Sequence, residues 1–246
     1  MAPAGIGADV EGFHAVAAAA AAGRIRELLV ERRLARDERH QQVVASAEAS
    51  GGAVIYVDDV RDHSVTSAPQ GLVARCRAIE PVTLADAVAL ATPCAVVVLD
   101  HVEDPRNVGA IARSAVAAGV GALVVSGDRA APLGASAFKA AAGTLERLPV
   151  VVAHSIADVV RRLEESGVWT VGLDGGADRS LFGLDLLAEP VALVIGAEGK
   201  GLSRLVADRV SVLARLPIRG DVESLNASVA ASLAMFEIAR VRGALH

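Results

Sequence analysis

The sequence predicts an α/β protein in two unequal parts, a small N-terminal α/β module followed by a larger open parallel sheet with helices on both faces. Three observations carry this. From Cys94 onward, apolar runs rich in β-branched residues recur at Ala95–Leu99, Ala122–Val125, Val150–Val152, Val168–Leu173, Val191–Ile195 and Val210–Leu213, separated by helical patterns. These runs are apolar on both faces, as strands of a parallel sheet covered on two sides must be. Periodicity is lost between Cys76 and Pro93, around Pro81 and Pro93, and this stretch reads as a linker.

Before the linker, the pattern gives a helix over Gly12–Ala22, a strand over Ile25–Val30, a second helix over Arg36–Ala49, and strands at Ala53–Val57 and Gly71–Arg75. The resulting organisation is 1–75, linker 76–93, and 94–246. A weak helical signal covers Leu84–Leu90. In the second part, Ser155 is positioned to cap a helix over Ile156–Ser166, with Gly167 just past its end.

Composition bounds the function. The chain has 246 residues, 53% of them hydrophobic, which is enough for a sizeable core. The alanine block Ala15–Ala22 is too short to span a bilayer, and the N-terminus lacks the succession of a secretory signal, so a cytoplasmic protein without a membrane partner is expected. Cys76 and Cys94 form no CxxC and no cysteine–histidine cluster, so the expectation is buried thiols and no metal. A net charge of −5 argues against holding nucleic acid by bulk electrostatics. Locally, however, Arg24, Arg26, Arg32, Arg33, Arg36 and Arg39 stand against Glu27, Glu31, Asp37 and Glu38. This is either a basic patch or a solvated face with intrahelical pairs.

Three segments carry chemistry, and each follows an apolar run, where open α/β sheets bind ligands. Asp104-Pro105-Arg106-Asn107-Val108-Gly109 opens a helix bearing Arg113. Asn107 is either its cap or a site residue, and if it is the cap Arg113 lies on a broadly related face. Gly196-Ala197-Glu198-Gly199-Lys200-Gly201 is a glycine-rich loop, but Leu202 after Gly201 and the carboxylate of Glu198 exclude a phosphate-binding loop. Leu216-Pro217-Ile218 is an apolar stretch outside any obvious strand, suited to a pocket wall. It leads to Glu223-Ser224-Leu225-Asn226, where Ser224 and Asn226 are also candidate caps of the last helix.

Taken together, these segments resemble the three motifs of the SpoU (TrmH-like) family of RNA ribose 2′-O-methyltransferases, in order, over about residues 95 to 240. Ala131-Pro132-Leu133 through Ala141-Ala142-Gly143-Thr144-Leu145-Glu146 also resembles that family. Gly12-Phe13-His14-Ala15-Val16 and Gln70-Gly71-Leu72-Val73-Ala74-Arg75 resemble the ribosomal-protein-like substrate-binding module of the subgroup that methylates a guanosine of 23S rRNA. That subgroup usually has histidine where this chain has Pro69.

The resemblance implies a parallel SPOUT-type sheet with a deep trefoil knot, a homodimer, and S-adenosyl-L-methionine as cofactor. It implies catalytic roles for Arg113, Asn107, Glu198, Ser224 and Asn226. For the cofactor it implies contacts from Gly196, Leu216 and Leu225, then Thr144, Gly201 and Ile218. Arg106, Lys139, Lys200 and Arg219 are candidate phosphate contacts, and RNA, as 23S rRNA or an assembling ribosomal particle, is the expected partner. A transfer-RNA or antibiotic-resistance ribose methyltransferase and a non-catalytic assembly factor of the same fold are the competing readings.

Overall fold

The computed structural model describes residues 5–127, 133–220, 222 and 224–244. The chain divides into two compact units, Met1–Glu80 with Val108–Arg113 and Pro132–Arg147, and Pro81–Asn107 with Ser114–Ala131 and Leu148–His246.

The first unit holds a four-stranded sheet ordered β1 (Asp9–Glu11), β4 (Leu72–Cys76), β2 (Ile25–Glu31), β3 (Ala53–Val57). Only the β2–β3 pair is parallel. Helices α1 (Phe13–Ala21) and α2 (Glu38–Ala49) pack with it, through Ala15, Val16, Ala19, Val43 and Ala47. The α2 N-terminus starts two residues later than the periodicity suggests, because Asp37 caps it by accepting from the His40 amide at 3.1 Å. Helix α5 (Ala135–Ala140) belongs to the same unit and buries Phe138 completely. Gly109 lies against it so closely that a Cβ would stand 2.3 Å from the Ala137 carbonyl oxygen. Any side chain there would therefore push the two helices apart.

The second unit is a seven-stranded, wholly parallel sheet ordered β7 (Val150–Ala153), β6 (Ala122–Ser126), β5 (Ala95–Asp100), β10 (Val191–Gly196), β8 (Trp169–Leu173), β11 (Val212–Arg215), β9 (Arg179–Ser180). β5 and β10 are buried along their whole length, as their uninterrupted apolar sequences require. Its helices are α3 (Leu84–Ala89), α6 (Ile156–Glu165), α7 (Arg204–Ala207) and α8 (Ala227–Val241), and α4 (Pro105–Ala117) gives its two ends to this unit. Ser155 caps α6 by accepting from the Asp158 amide, and Gly167 leaves it at a φ of 77°. Strand β11 begins two residues later than expected, because Ser211 instead engages Thr170 through its amide and hydroxyl.

The chain runs from β5 outward to β7, then crosses to β8 and returns to place β10 against β5, with Gly196 level with Asp100. This reversal puts the loops after β5, β8, β10 and β11 at the carboxyl ends of neighbouring strands, where such sheets bind ligands. Both cysteines are free and buried, and burial pushes the Cys76 thiol up to about 11. Among the described residues no helix is long and apolar enough to cross a membrane, and no His, Cys, Asp or Glu group is placed to hold a metal ion.

Candidate active site

The site is built on a buried carboxylate that the sequence reading did not single out. Asp100, the last residue of β5, is fully buried and accepts from the Ser203 amide at 2.6 Å and from His101 Nδ1 at 2.7 Å. It thereby pins the far end of the loop after β10 to the end of β5. A lone aspartate closing the otherwise apolar run of β5 was the available signal.

The loop itself closes by reciprocal backbone bonds, Ala197 to Gly201 at 3.0 Å and Gly201 to Ala197 at 2.9 Å. Gly196 permits this closure, since a Cβ there would stand 2.1 Å from the Gly201 carbonyl carbon. The closed loop carries Glu198 at its tip. Glu198 Oε1 accepts from Asn107 Nδ2 at 2.7 Å and from Asn226 Nδ2 at 2.5 Å, and Asn226 Nδ2 also donates to Asn107 Oδ1 at 3.1 Å. Three segments widely separated in the chain thus meet through one carboxylate oxygen. A carboxylate only accepts, so both amides must turn their NH2 groups toward it.

Asn107 is buried, and it is not the helix cap. Asp104 caps α4 by accepting from the Arg106 amide at 2.8 Å, and Pro105 occupies the first turn, so Asn107 stands inside the helix with its side chain free for Glu198. Arg113 lies six residues further along, a rotation of about 600° that leaves the two side chains roughly 120° apart around the axis. The broadly related faces expected for Asn107 as the cap do not apply, because Asp104 is the cap. Arg113 is exposed and carries no ion pair or hydrogen bond among the described residues.

Asn226 caps the last helix and reaches Glu198 at the same time. Its Oδ1 caps α8, accepting from the Ser228 amide at 2.9 Å and the Val229 amide at 3.4 Å, while its Nδ2 reaches Glu198. Ser224 is exposed, and Glu223 lies outside the described residues.

A cleft of about 610 Å³ opens beside this cluster. Leu173, Ile195, Leu216, Ile218 and Leu225 give it apolar walls, and Gly196, Glu198, Gly201, Ser224 and Asn226 line it as well. Five of the six expected cofactor contacts are therefore on one cleft. The sixth, Thr144, sits in the first unit, where its hydroxyl donates to the Ala141 carbonyl at 2.8 Å. Lys200 lines the cleft, as does Asp174, which the sequence reading missed although it directly follows β8. Asp174 Oδ1 accepts from the Gly176 amide at 2.7 Å. Of the other expected phosphate contacts, Arg219 is exposed, while Arg106 forks onto Asp104, a pairing that lowers the Asp104 pKa. Lys139, in the first unit, is spent on the Ala68 carbonyl and, at 3.4 Å, on Thr66 Oγ1.

Residues 95–236 match the SpoU rRNA Methylase family, and residues 10–82 match a second family described as RNA 2′-O ribose methyltransferase substrate binding. The chain belongs to the SpoU rRNA methylase family. SpoU members similar to it include the 23S rRNA (guanosine-2′-O-)-methyltransferases RlmB of Ralstonia nicotianae, 37% identical over 94% of each chain, and of Yersinia pestis, 40% identical over 95% of this chain and 97% of that one. Among solved structures, the SpoU methyltransferase AviRb of Streptomyces viridochromogenes in complex with AdoMet superposes with a TM-score of 0.81 at 26% identity, covering 96% of this chain and 90% of that one. An AdoMet-bound rRNA methyltransferase of Sinorhizobium meliloti gives 0.79 at 28% identity over 94% and 86%.

Proposed function

We propose that this SpoU-family chain transfers a methyl group from S-adenosylmethionine to a ribose 2′-hydroxyl of RNA, the substrate being a guanosine of 23S rRNA. The observation that carries the reading is the Asn107–Glu198–Asn226 cluster at the edge of a cleft formed by the carboxyl ends of parallel strands. The names of the full-length relatives support the substrate.

The cleft fits the cofactor. Its volume lies within the range of small-molecule sites, and its apolar walls suit an adenine. Its carboxylates Asp174 and Glu198 suit hydroxyl donors and a cation, and Lys200 suits a carboxylate. When bound, S-adenosylmethionine supplies an electrophilic methyl on its sulfonium. The chain supplies placement: Gly196, Gly201, Leu216, Ile218 and Leu225 hold the adenosyl part, and Thr144 is a further contact. Ser224 and Asn226 orient the ribose, while Glu198 locks Asn107 and Asn226 in register.

Arg113 is the group that acts on the 2′-hydroxyl. A guanidinium with a pKa above about 12 is a poor general base, so its work is to stabilise the developing alkoxide and the adjacent phosphate through its planar fork. The proton leaves to phosphate or water. An Arg113→Lys enzyme keeps the charge but loses the fork, and its turnover should collapse; full turnover would overturn this role.

The organisation that goes with this activity is an RNA substrate-binding domain over 1–75, a linker over 76–93 and a methyltransferase domain over 94–246 carrying a deep trefoil knot. The protein acts in the cytoplasm as a homodimer. Val229, Leu233 and Phe236 support the dimer, as an exposed apolar stripe along α8 with relative accessibilities of 47%, 44% and 38%. The test is methyl transfer from tritiated S-adenosylmethionine to 23S rRNA and to assembling particles, with 2′-O-methylation mapped in cells with and without the protein. A folded chain that binds the cofactor and labels neither would overturn the reading.

A further inference from the structure

Three of the six arginines between residues 24 and 39 are spent on carboxylates, and none of these pairs lies within a helix. Arg24 forks onto Glu146, Arg32 pairs with Asp58 at 3.1 Å, and Arg33 pairs with Glu31 at 2.5 Å. Arg26, Arg36 and Arg39 are exposed and have no carboxylate partner among the described residues.

Arg39 instead covers an aromatic ring. Its Cζ stands 4.3 Å from the centroid of Phe13. The same ring meets His40 edge-on at 5.3 Å and His14 at 5.5 Å, in a chain that has only four phenylalanines, one tyrosine and one tryptophan. The assembly is rigid at its base. Gln70 Oε1 accepts from the Phe13 amide at 3.0 Å, and Gln70 itself is held in the left-handed region at a φ of 56°. Asp37 accepts from both the backbone amide and Nδ1 of His40, the latter at 2.6 Å. His40 Nε2 is then left out of solvent with no hydrogen-bond partner among the described residues, an unusual state for a polar atom.

Resting on the RNA-methyltransferase reading above, we infer that Phe13, His14, Arg39 and His40 form a stacking subsite for one unpaired nucleobase of the RNA substrate, with Arg36 meeting a neighbouring phosphate. The chemistry selects this occupant. The exposed guanidinium, backed by the Phe13 ring, offers a cationic face to a base, and Arg36, exposed and three residues before Arg39 in the chain, complements phosphate. Paired bases already have both faces stacked in a duplex, so only a splayed-out base can use the platform. The subsite thus makes the protein choose a looped or single-stranded region by shape, independently of the cleft that holds the cofactor.

The test uses the full chain with three fluorescent RNA probes: a hairpin carrying 2-aminopurine in its loop, the same hairpin with 2-aminopurine in its stem, and a blunt duplex. Arg39→Lys preserves charge and removes the plane. It should weaken binding of the hairpin about 5- to 100-fold and abolish quenching of the loop 2-aminopurine, while leaving duplex binding and cofactor affinity as in the parent. Phe13→Leu should do the same if its thermal melt matches the parent; if it does not, the surface variant Arg39→Lys decides. Parent-like hairpin binding by Arg39→Lys, or a loop base that the parent does not quench, overturns the subsite. Failure of the underlying reading is distinguishable, because the parent itself would then incorporate no methyl group into RNA.

Discussion

Two glutamates at strand ends are treated in opposite ways. Glu11, closing β1, is buried and both of its oxygens are saturated by residues 64–66: Ser64 Oγ at 2.6 Å, the Val65 amide at 2.7 Å, the Thr66 amide at 3.2 Å and the Thr66 hydroxyl. Glu198, just past β10, is exposed, and its donors are two side-chain amides from distant segments that share a single oxygen. Its Oε2 has no hydrogen-bond partner among the described residues, and Glu198 lines the cleft. A carboxylate consumed by one local loop builds architecture. A carboxylate that gathers remote side chains and keeps an oxygen in reserve builds a site.

The sharpest break of this contrast is Glu11→Gln. The amide nitrogen it introduces would face hydroxyl and amide donors in a buried place, and stability should fall by about 2–4 kcal/mol with cofactor affinity unchanged. Denaturant melts and calorimetry with S-adenosylmethionine would read both, and a neutral melt would refute the architectural role. On the other side, Gly196→Ala forces a Cβ into the Gly201 backbone and displaces the whole Glu198 loop. Methyl transfer should drop by about 100-fold, with a matching loss of cofactor affinity.

Asn226→Ser sharpens the contrast further, because serine caps a helix nearly as well as asparagine but has no amide for Glu198. Melts should move by less than about 0.5 kcal/mol while turnover falls about 10- to 30-fold. A fall in stability that tracked the fall in turnover would make Asn226 a cap and nothing more.

The large sheet was legible because buried parallel strands leave uninterrupted apolar runs, as in β10, expected over Val191–Ile195 and found at Val191–Gly196. Strands β1 and β9, of three and two residues, are too short to show a period. Helix α5 is small and rich in alanine, and its burial depends on Phe138 rather than on an amphipathic stripe. At the site, motif order placed Asn107, Glu198 and Asn226 correctly near strand ends, but not their mutual bonds, which span 91, 28 and 119 residues. The cap of α4 was misread for a local reason. Asp104 and Asn107 are both good capping residues three positions apart, and the aspartate, directly before Pro105, performs the capping. Asp100 and Asp174 escaped notice because single carboxylates after apolar strands carry no spacing signal. The arginine patch could not be resolved into paired and free members, since Arg24 finds Glu146 across 122 residues.

A third carboxylate lies between the two extremes and gives the smallest test. Glu237 on α8 is buried, accepts from the Gly183 amide at 3.2 Å, and is forked by the exposed Arg240 at 2.7 and 2.8 Å. The Arg240 hydrogen bonds hold its pKa below the ordinary carboxylate value, overcoming the opposing effect of burial. The unfolded chain therefore takes up a proton at a higher pH than the folded one does. The contribution of Glu237 is fully present above the unfolded value of about 4.3 and is lost as pH falls through the lower folded value. Glu237→Gln should leave the melting temperature falling less steeply than the parent across that acid window. At neutral pH its cost should stay under about 1 kcal/mol, because the arginine half of the pair is in solvent. Equal acid slopes in the two proteins would mean that the Arg240 pair adds nothing to the stability of the folded chain, and would overturn this role of Glu237.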